Sequence, residues 1–252
     1  MLNQFSRTEL LLGKEAMEIL NKAHIAVFGV GGVGGYTVEA LIRSGIQHID
    51  IIDNDTVSLT NLNRQIIATH STIGKYKVDV MKERILDINP SAEVNVHKCF
   101  YLPETRDLFD FTKYDYVVDA VDTVTEKINL ILQAKEAGTK IICSMGAGNK
   151  MDPTQFQVAD ISQTTVCPLA RVMRQECKKR KIRNVKVVFS TEKVLRPIEA
   201  IQPEKSSADN RSTVRRDIPG STAFVPSVAG LIIASEIIKD LTGEATARAR
   251  SL

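Results

Sequence analysis

Three glycines stand at the spacing that lets a backbone wrap a phosphate. Gly29, Gly31 and Gly34 form G-x-G-x-x-G, with further glycines at Gly32 and Gly35. An apolar run, His24 to Phe28, precedes them and reads as a buried strand. A helical pattern follows through Val38, Leu41 and Ile42, and Gly45 stops it. A second strand, Ile49 to Ile52, runs into Asp53, 19 residues after Gly34. Glycine permits the sharp turn and the close approach. The helix that starts there offers unpaired amide N–H groups and the positive end of its dipole. An acid at the end of the second strand meets a ribose hydroxyl. The glycine spacing alone also fits a nicotinamide enzyme, a flavin enzyme, a methyltransferase or a tight turn with no ligand.

The continuation narrows the chemistry. DNDTVSLTNLNRQ runs from Asp53 to Gln65, and GKYKV follows at Gly74 to Val78. A dehydrogenase already seats its pyrophosphate on the first turn and needs no such polar segment. A triphosphate carries more charge. Arg64, through its planar fork, and Lys77, as a point charge, are suited to neutralise it. In these residues the chain resembles the adenylating domain of ubiquitin-activating-like enzymes, which include the sulfur-carrier adenylyltransferases of thiamine and molybdopterin synthesis. Further pieces, FSRTELLLG, INP, GAGNKMDPTQ, CPLARVMR, VVFSTE and PGSTAFVPSVAGLIIASEIIKDLTG, resemble the tRNA threonylcarbamoyladenosine dehydratase family over nearly the whole chain.

The resemblance implies ATP as the nucleotide, with magnesium, and tRNA as the second substrate. It implies that Asn61 and Gln65 order the α-phosphate, that Asp55 joins Asp53 at the nucleotide, and that Asp122 holds the metal. It also implies a homodimer in which Arg7, of Phe5-Ser6-Arg7, reaches the partner's ATP phosphates. Arg7 alone also reads as a solvated arginine. Asp122 alone also reads as the N-cap of the following helix. Family members activate a carboxylate with ATP so that threonylcarbamoyladenosine closes into its cyclic form. No general base or nucleophile stands out in the sequence.

These residues need an α/β scaffold to meet. Thr8 to Lys22 reads as one amphipathic helix or two short ones. A helix is expected from Lys75 to about Leu86, a strand over Glu93 to Val96 and a short helix over Pro103 to Phe109. A buried strand from Tyr116 should run into the acids Asp119 and Asp122, followed by a helix over Val124 to Ala137. Then come strands at Lys140 to Ser144, Gln155 to Ala159 and Val185 to Ser190. Helices are expected over Cys167 to Lys181 and Ala223 to Leu241. The expectation is a Rossmann-like fold whose mixed sheet is parallel in the first half and has antiparallel strands in the second. The chain reads as one adenylating domain, with a nucleotide-binding half over 1–145 and a substrate and dimer half over 146–252. Residues 199–221 read as a long mobile loop.

Composition sets the remaining bounds. The 252 residues are 43% hydrophobic and 25% charged, with a net charge of +3, enough for a full core and neutral as to partners. Arg171 to Lys186 holds eight Lys/Arg and one acid, a net of +7, leaving −4 for the rest. Arg171, Arg174, Lys178 and Lys181 are therefore candidates for nucleic-acid contact, against the plainer reading of a solvated helix face. Leu169, Val172, Met173 and Cys177 are expected on the buried face. Four cysteines, none in a C-x-x-C pair, read as reduced thiols of a cytoplasmic protein. The missing C-x-x-C pairs speak against a carrier-protein activator. A sulfur-relay protein partner and a reacting Cys167 stay open, with a structural cysteine the plainer reading. The polar first residues do not read as a signal peptide, and Glu236, Lys239 and Asp240 make the last helix a poor membrane span.

Overall fold

Strand β1 (His24–Phe28) lies inside one seven-stranded sheet, third from an edge, in a computed structural model that describes residues 2–198 and 219–251. The other strands are β2 (His48–Ile52), β3 (Glu93–His97), β4 (Tyr116–Asp119), β5 (Lys140–Ser144), β6 (Phe156–Asp160) and β7 (Lys186–Ser190). Their order is β3-β2-β1-β4-β5-β7-β6. Every pairing is parallel except that of β6 with β7, so the antiparallel part of the second half is one edge strand. β1 pairs with β2 on one side and β4 on the other, and the crevice at their C-terminal ends is the place where such sheets bind ligands.

Parallel strands are covered on both faces, so β1 and β4 are apolar apart from His24 at the start of β1 and Asp119 at the end of β4. Ile25 and Val27 point to one layer and Ala26 and Phe28 to the other. The first layer holds α1 (Ser6–Leu12), α2 (Lys14–Lys22), α3 (Gly34–Arg43), α4 (Lys77–Ile88) and α7 (Phe224–Ser251). The second holds α5 (Val124–Ala137) and α6 (Pro168–Lys179). Gly13, at φ +85, divides the predicted first helix into α1 and α2. Among α1 residues none is buried.

Helix α5 shows how local sequence sets an element's limits. Thr123 is its N-cap, with Oγ1 accepting from the Glu126 N–H, and Gly138 ends it in the left-handed region at φ +73. The capping alternative for Asp122 is therefore corrected, because the next residue does that work. β4 also ends at Asp119, three residues before the expected limit. Helix α6 starts on Pro168, whose missing N–H costs nothing at that position, and ends at Lys179, before Lys181 at φ +58. Its buried residues are Ala170, Met173 and Cys177, while Val172 is exposed. The expected loop over 199–221 lies outside the described residues from 199 to 218.

Helix α7 packs along α3 so closely that a Cβ at Gly230 would sit 2.3 Å from the Val33 carbonyl oxygen. Thr37 Oγ1 donates to the Gly230 carbonyl at 3.1 Å. Further along, Asp240 accepts from Tyr116 Oη at 2.8 Å and from Lys186 Nζ at 2.7 Å, tying α7 to β4 and β7. No described helix is long and apolar enough to cross a membrane.

One buried carboxylate braces the outer half of the sheet. Asp50 on β2 accepts from Tyr114 Oη at 2.9 Å and from Asn95 Nδ2 at 2.8 Å, and it bonds His24 Nε2 at 2.8 Å and His97 Nε2 at 3.0 Å. Burial by itself would raise its pKa, but these four partners outweigh burial and hold it well below the carboxylate range. A depressed carboxylate stabilises fully above the pH at which the unfolded side chain titrates, and loses that contribution as pH falls towards its folded value. Asp50→Asn is expected to cost about 2–3 kcal/mol at pH 7. The cost should shrink by about 1 kcal/mol at pH 3, because the unfolded aspartate is then largely protonated. Urea unfolding of both proteins at the two pH values checks this, and an equal cost at both would contradict it.

Candidate functional site

The glycine turn joins β1 to α3 at the switch point. Gly29 has φ +92, and a Cβ there would lie 2.6 Å from the Ala120 carbonyl oxygen just past β4. At Gly34 a Cβ would lie 1.8 Å from the Gly29 carbonyl oxygen. Both positions therefore require glycine for the turn itself. Gly31 and Gly32 differ. Their Cβ positions face Gln65 Nε2 at 3.9 Å, and Pro226 Cβ at 3.2 Å with Arg64 Cγ at 3.4 Å. The turn is thus bordered by the Asn-Arg-Gln segment on one side and the start of α7 on another.

Asp53 holds the turn from the end of β2. One carboxylate oxygen accepts from the Val30 N–H and the other from the Asp55 N–H, both at 2.8 Å. Burial pushes its carboxyl up, and the charge of Lys77 acts against that. Lys77, at the first position of α4, is 6% exposed. Its Nζ donates to Asp55 at 2.7 Å and lies 3.9 Å from Asp53. Asp53, Asp55 and Lys77 are brought together as one charged group beside the glycines.

Arg64 is half-buried, and its Nη1 donates to the Thr60 carbonyl and to Asn63 Oδ1, both at 3.0 Å. These are loop oxygens that an anion could replace. Asn61 Oδ1 accepts from the Ser58 N–H at 3.0 Å and shapes the one-turn helix over Leu59–Asn61. Gln65 is 6% exposed, and its buried Oε1 has no partner among the described residues. An unpartnered buried amide oxygen is costly, and a ligand donor or a water would remove the cost.

Asp122 lies exposed in the loop from β4 to α5. Among the described residues no group of three or more His, Cys, Asp or Glu could hold a metal ion. One exposed carboxylate nonetheless fits magnesium on a nucleotide, because that ion takes one or two carboxylates together with phosphate oxygens and water. Behind the loop, Lys127 Nζ donates to Asp119 at 3.0 Å and to the Ser144 carbonyl at 2.7 Å, all fully or nearly buried. Burial raises the Asp119 carboxyl, and Lys127 opposes the rise. This pair fixes the ends of β4 and β5 under the loop, a role that the sequence did not reveal.

Other expected residues lie apart. Arg7 is exposed on α1, and no hydrogen bond or ion pair of the described residues ties it to the glycine turn. The basic segment is narrower than its charge suggests. Arg174 Nη1 donates to the Thr164 carbonyl at 2.6 Å and to Thr164 Oγ1 at 2.5 Å. Lys179 and Arg180 pair with Glu176, and Lys186 pairs with Asp240. Arg171, Lys178 and Lys181 remain exposed. Arg174 is half-buried and braces the start of α6, so it is less accessible than the other three candidates. Cys167 is buried, its Sγ 3.8 Å from where a Gly146 Cβ would be, as the structural reading expects.

A glycine turn at the switch point, a charged group behind it and a polar segment with a half-buried arginine define a nucleotide-binding α/β protein. The ThiF family model matches residues 5–251. A tRNA threonylcarbamoyladenosine dehydratase of Bacillus subtilis is 47% identical over 242 residues, covering 96% of this chain and 95% of that protein. A solved structure of the Escherichia coli tRNA N6-threonylcarbamoyladenosine dehydratase in complex with ATP is 34% identical, with a TM-score of 0.84, covering 96% of this chain and 95% of that one. An adenylyltransferase and sulfurtransferase of Culex quinquefasciatus matches only 49% of this chain, at 36% identity over 126 residues, and 28% of its own length. The chain belongs to the ThiF family and, within it, to the tRNA threonylcarbamoyladenosine dehydratases.

Proposed function

We infer that this protein uses ATP to dehydrate threonylcarbamoyladenosine in tRNA to its cyclic form. The observation that carries the reading is likeness over nearly the full length of dehydratases, one of them solved with ATP, together with a glycine turn bordered by Arg64 and Gln65 and held by Asp53, beside which Lys77 lies. A carboxylate is a poor electrophile at neutral pH. One of its oxygens attacks the α-phosphorus of ATP, and pyrophosphate leaves. The neighbouring carbamoyl group attacks the acyl carbon, AMP leaves and a ring closes. The substrate loses one water overall.

This chain's residues supply position and charge for those steps. Backbone N–H groups at the start of α3 and the side chains of Arg64 and Lys77 hold phosphate oxygens. Asn61 and Gln65 order the α-phosphate, and Asp53 with Asp55 shapes the ribose side. Magnesium, when bound by Asp122 and phosphate oxygens, supplies further charge neutralisation. The nucleophile belongs to the substrate, so no enzyme nucleophile is required. The assay is release of AMP and pyrophosphate. The reading requires it with tRNA bearing threonylcarbamoyladenosine, and excludes it with a carrier-protein C-terminus in place of tRNA.

The protein acts as a homodimer in this reading, with Arg7 completing the partner's site. The exposed face beside Arg7 supports it: Leu2, Leu10 and Leu11 are 92%, 86% and 69% exposed. Residues 1–145 serve the nucleotide and 146–252 the substrate and the dimer, within one domain. Four free cysteines agree with a cytoplasmic location.

The tRNA backbone is assigned to Arg171, Lys178 and Lys181. Changing these three to Gln should weaken tRNA binding and leave ATP affinity intact. Losing up to three phosphate contacts should flatten the log–log dependence of affinity on salt by up to about 2.7 units. Unchanged affinity and slope, with folding verified by circular dichroism, would make the patch a solvated face.

A further inference from the structure

The start of α7 lies on the glycine turn, and two asparagines hold it there. Asn149 has φ +56, a conformation that asparagine tolerates better than most residues. Its N–H donates to the Gly220 carbonyl at 2.7 Å, and its Oδ1 accepts from the Gly220 N–H at 2.6 Å. Its own carbonyl accepts from the Leu195 N–H at 2.9 Å. The chain thus leaves Asn149 at Leu195 and returns to it at Gly220. At Gly148 a Cβ would lie 2.9 Å from Pro219 Cβ, so the contact is close as well as bonded.

The next residue is held from the other side. Asn63 Nδ2 donates to the Ser221 carbonyl at 3.0 Å and lies 3.3 Å from Ser221 Oγ. Asn63 Oδ1 accepts from Arg64 Nη1 at 3.0 Å. The two partners fix the orientation of the amide, because a carbonyl only accepts and a guanidinium only donates. Three residues beyond Ser221, α7 begins, and Pro226 in its first turn packs on Gly32. One side chain therefore joins the arginine assigned to phosphate with the entry to the helix that borders the glycine turn.

We propose that Asn63 and Asn149 are positioning residues for the second substrate: they set residues 219–222 and the start of α7 at the edge of the nucleotide site, where the substrate carboxylate must meet the α-phosphate. Their bonds to the entry of α7 run to Ser221 and Gly220, and the bond from Arg64 to Asn63 is one that a phosphate oxygen would replace, so ATP binding does not depend on them. The proposal rests on the reading of the site as one that adenylates a tRNA-borne carboxylate.

The test uses the full chain with ATP and tRNA bearing threonylcarbamoyladenosine. Asn63→Ala removes the bridge. Asn149→Gly keeps the left-handed backbone and its two main-chain bonds and removes the side chain, and with it the Oδ1 acceptor. Calorimetry without tRNA gives the Kd for ATP, and AMP release gives KM for tRNA and kcat. The Kd for ATP should stay within about twofold, while KM for tRNA rises about five- to tenfold, the scale of one net hydrogen bond. Asn149→Asp retains the acceptor for Gly220 and should restore KM. Asn63→Asp retains the acceptor for Arg64 but not the donor to Ser221, and should behave like Asn63→Ala. A lowered Tm with unchanged KM would make both residues merely structural and overturn the proposal. Weaker ATP binding with unchanged KM for tRNA would also overturn it, by placing Asn63 in the nucleotide site. A wild-type protein that forms no AMP with tRNA would show that the functional reading fails, and the proposal with it.

Discussion

Asp122→Asn is expected to lower AMP formation by at least about 100-fold and to leave ATP binding in place. The substitution keeps the shape of an exposed loop residue and removes the charge proposed to hold magnesium. A metal that neutralises transferring phosphate oxygens contributes several kcal/mol, and each 1.36 kcal/mol is tenfold in rate. Thr123 rather than Asp122 caps α5, so the loss should come without a change in Tm. The proposed homodimer would give a second readout. Arg7→Ala and Asp122→Asn proteins, each inactive, should recover part of the activity when mixed, since one site of a mixed dimer has both groups intact. Equal rates of Asp122→Asn and wild type would remove the metal from Asp122. Failure of mixing to restore activity, with subunit exchange verified, would remove Arg7 from the partner's site.

Arg64→Ala and Lys77→Ala should both weaken ATP use but differ in stability. From sequence both substitutions are expected to keep the fold and to cost about ten- to hundredfold, the worth of a charge-assisted phosphate contact. The structure separates them. Arg64 bonds only nearby loop oxygens, so its removal should leave Tm within about 2 °C of wild type. Lys77 is buried against Asp53 and Asp55, and Asp53 is itself buried. Deleting Lys77 strands that carboxylate and should cost about 3 kcal/mol of stability. Thermal unfolding and calorimetric ATP titration of the two variants check both parts. Unchanged ATP use in both would reopen the nicotinamide reading that their charges argued against.

Much of the nucleotide half was legible because its signals are local. His24 to Phe28 is a strand as expected, and Gly29 and Gly34 lie where no side chain fits. Asp53 was placed beside the turn by spacing alone, and its bond to Val30 explains the spacing. The errors arise where distant packing decides. α7 was expected to stop at Leu241. It runs on to Ser251 because Thr242 and Ala245 are buried, with Thr246 Oγ1 3.3 Å from the Leu12 carbonyl. Val172 had the right spacing for the buried face of α6 but lies outside it, while Arg174 turned back to Thr164. Asn149, inside the GAGNKMDPTQ piece, gave no sign of its partner. Its partner Gly220 is 71 residues away, and only the fold brings the two together.

Mass spectrometry of tRNA nucleosides tests the central claim most directly. The purified protein is incubated with ATP, magnesium and tRNA bearing threonylcarbamoyladenosine, and the nucleosides are then released under mild conditions. The account predicts a nucleoside lighter by one water, formed with ATP and absent without it, in step with AMP. Threonylcarbamoyladenosine of unchanged mass, with ATP present and the protein folded, would contradict it.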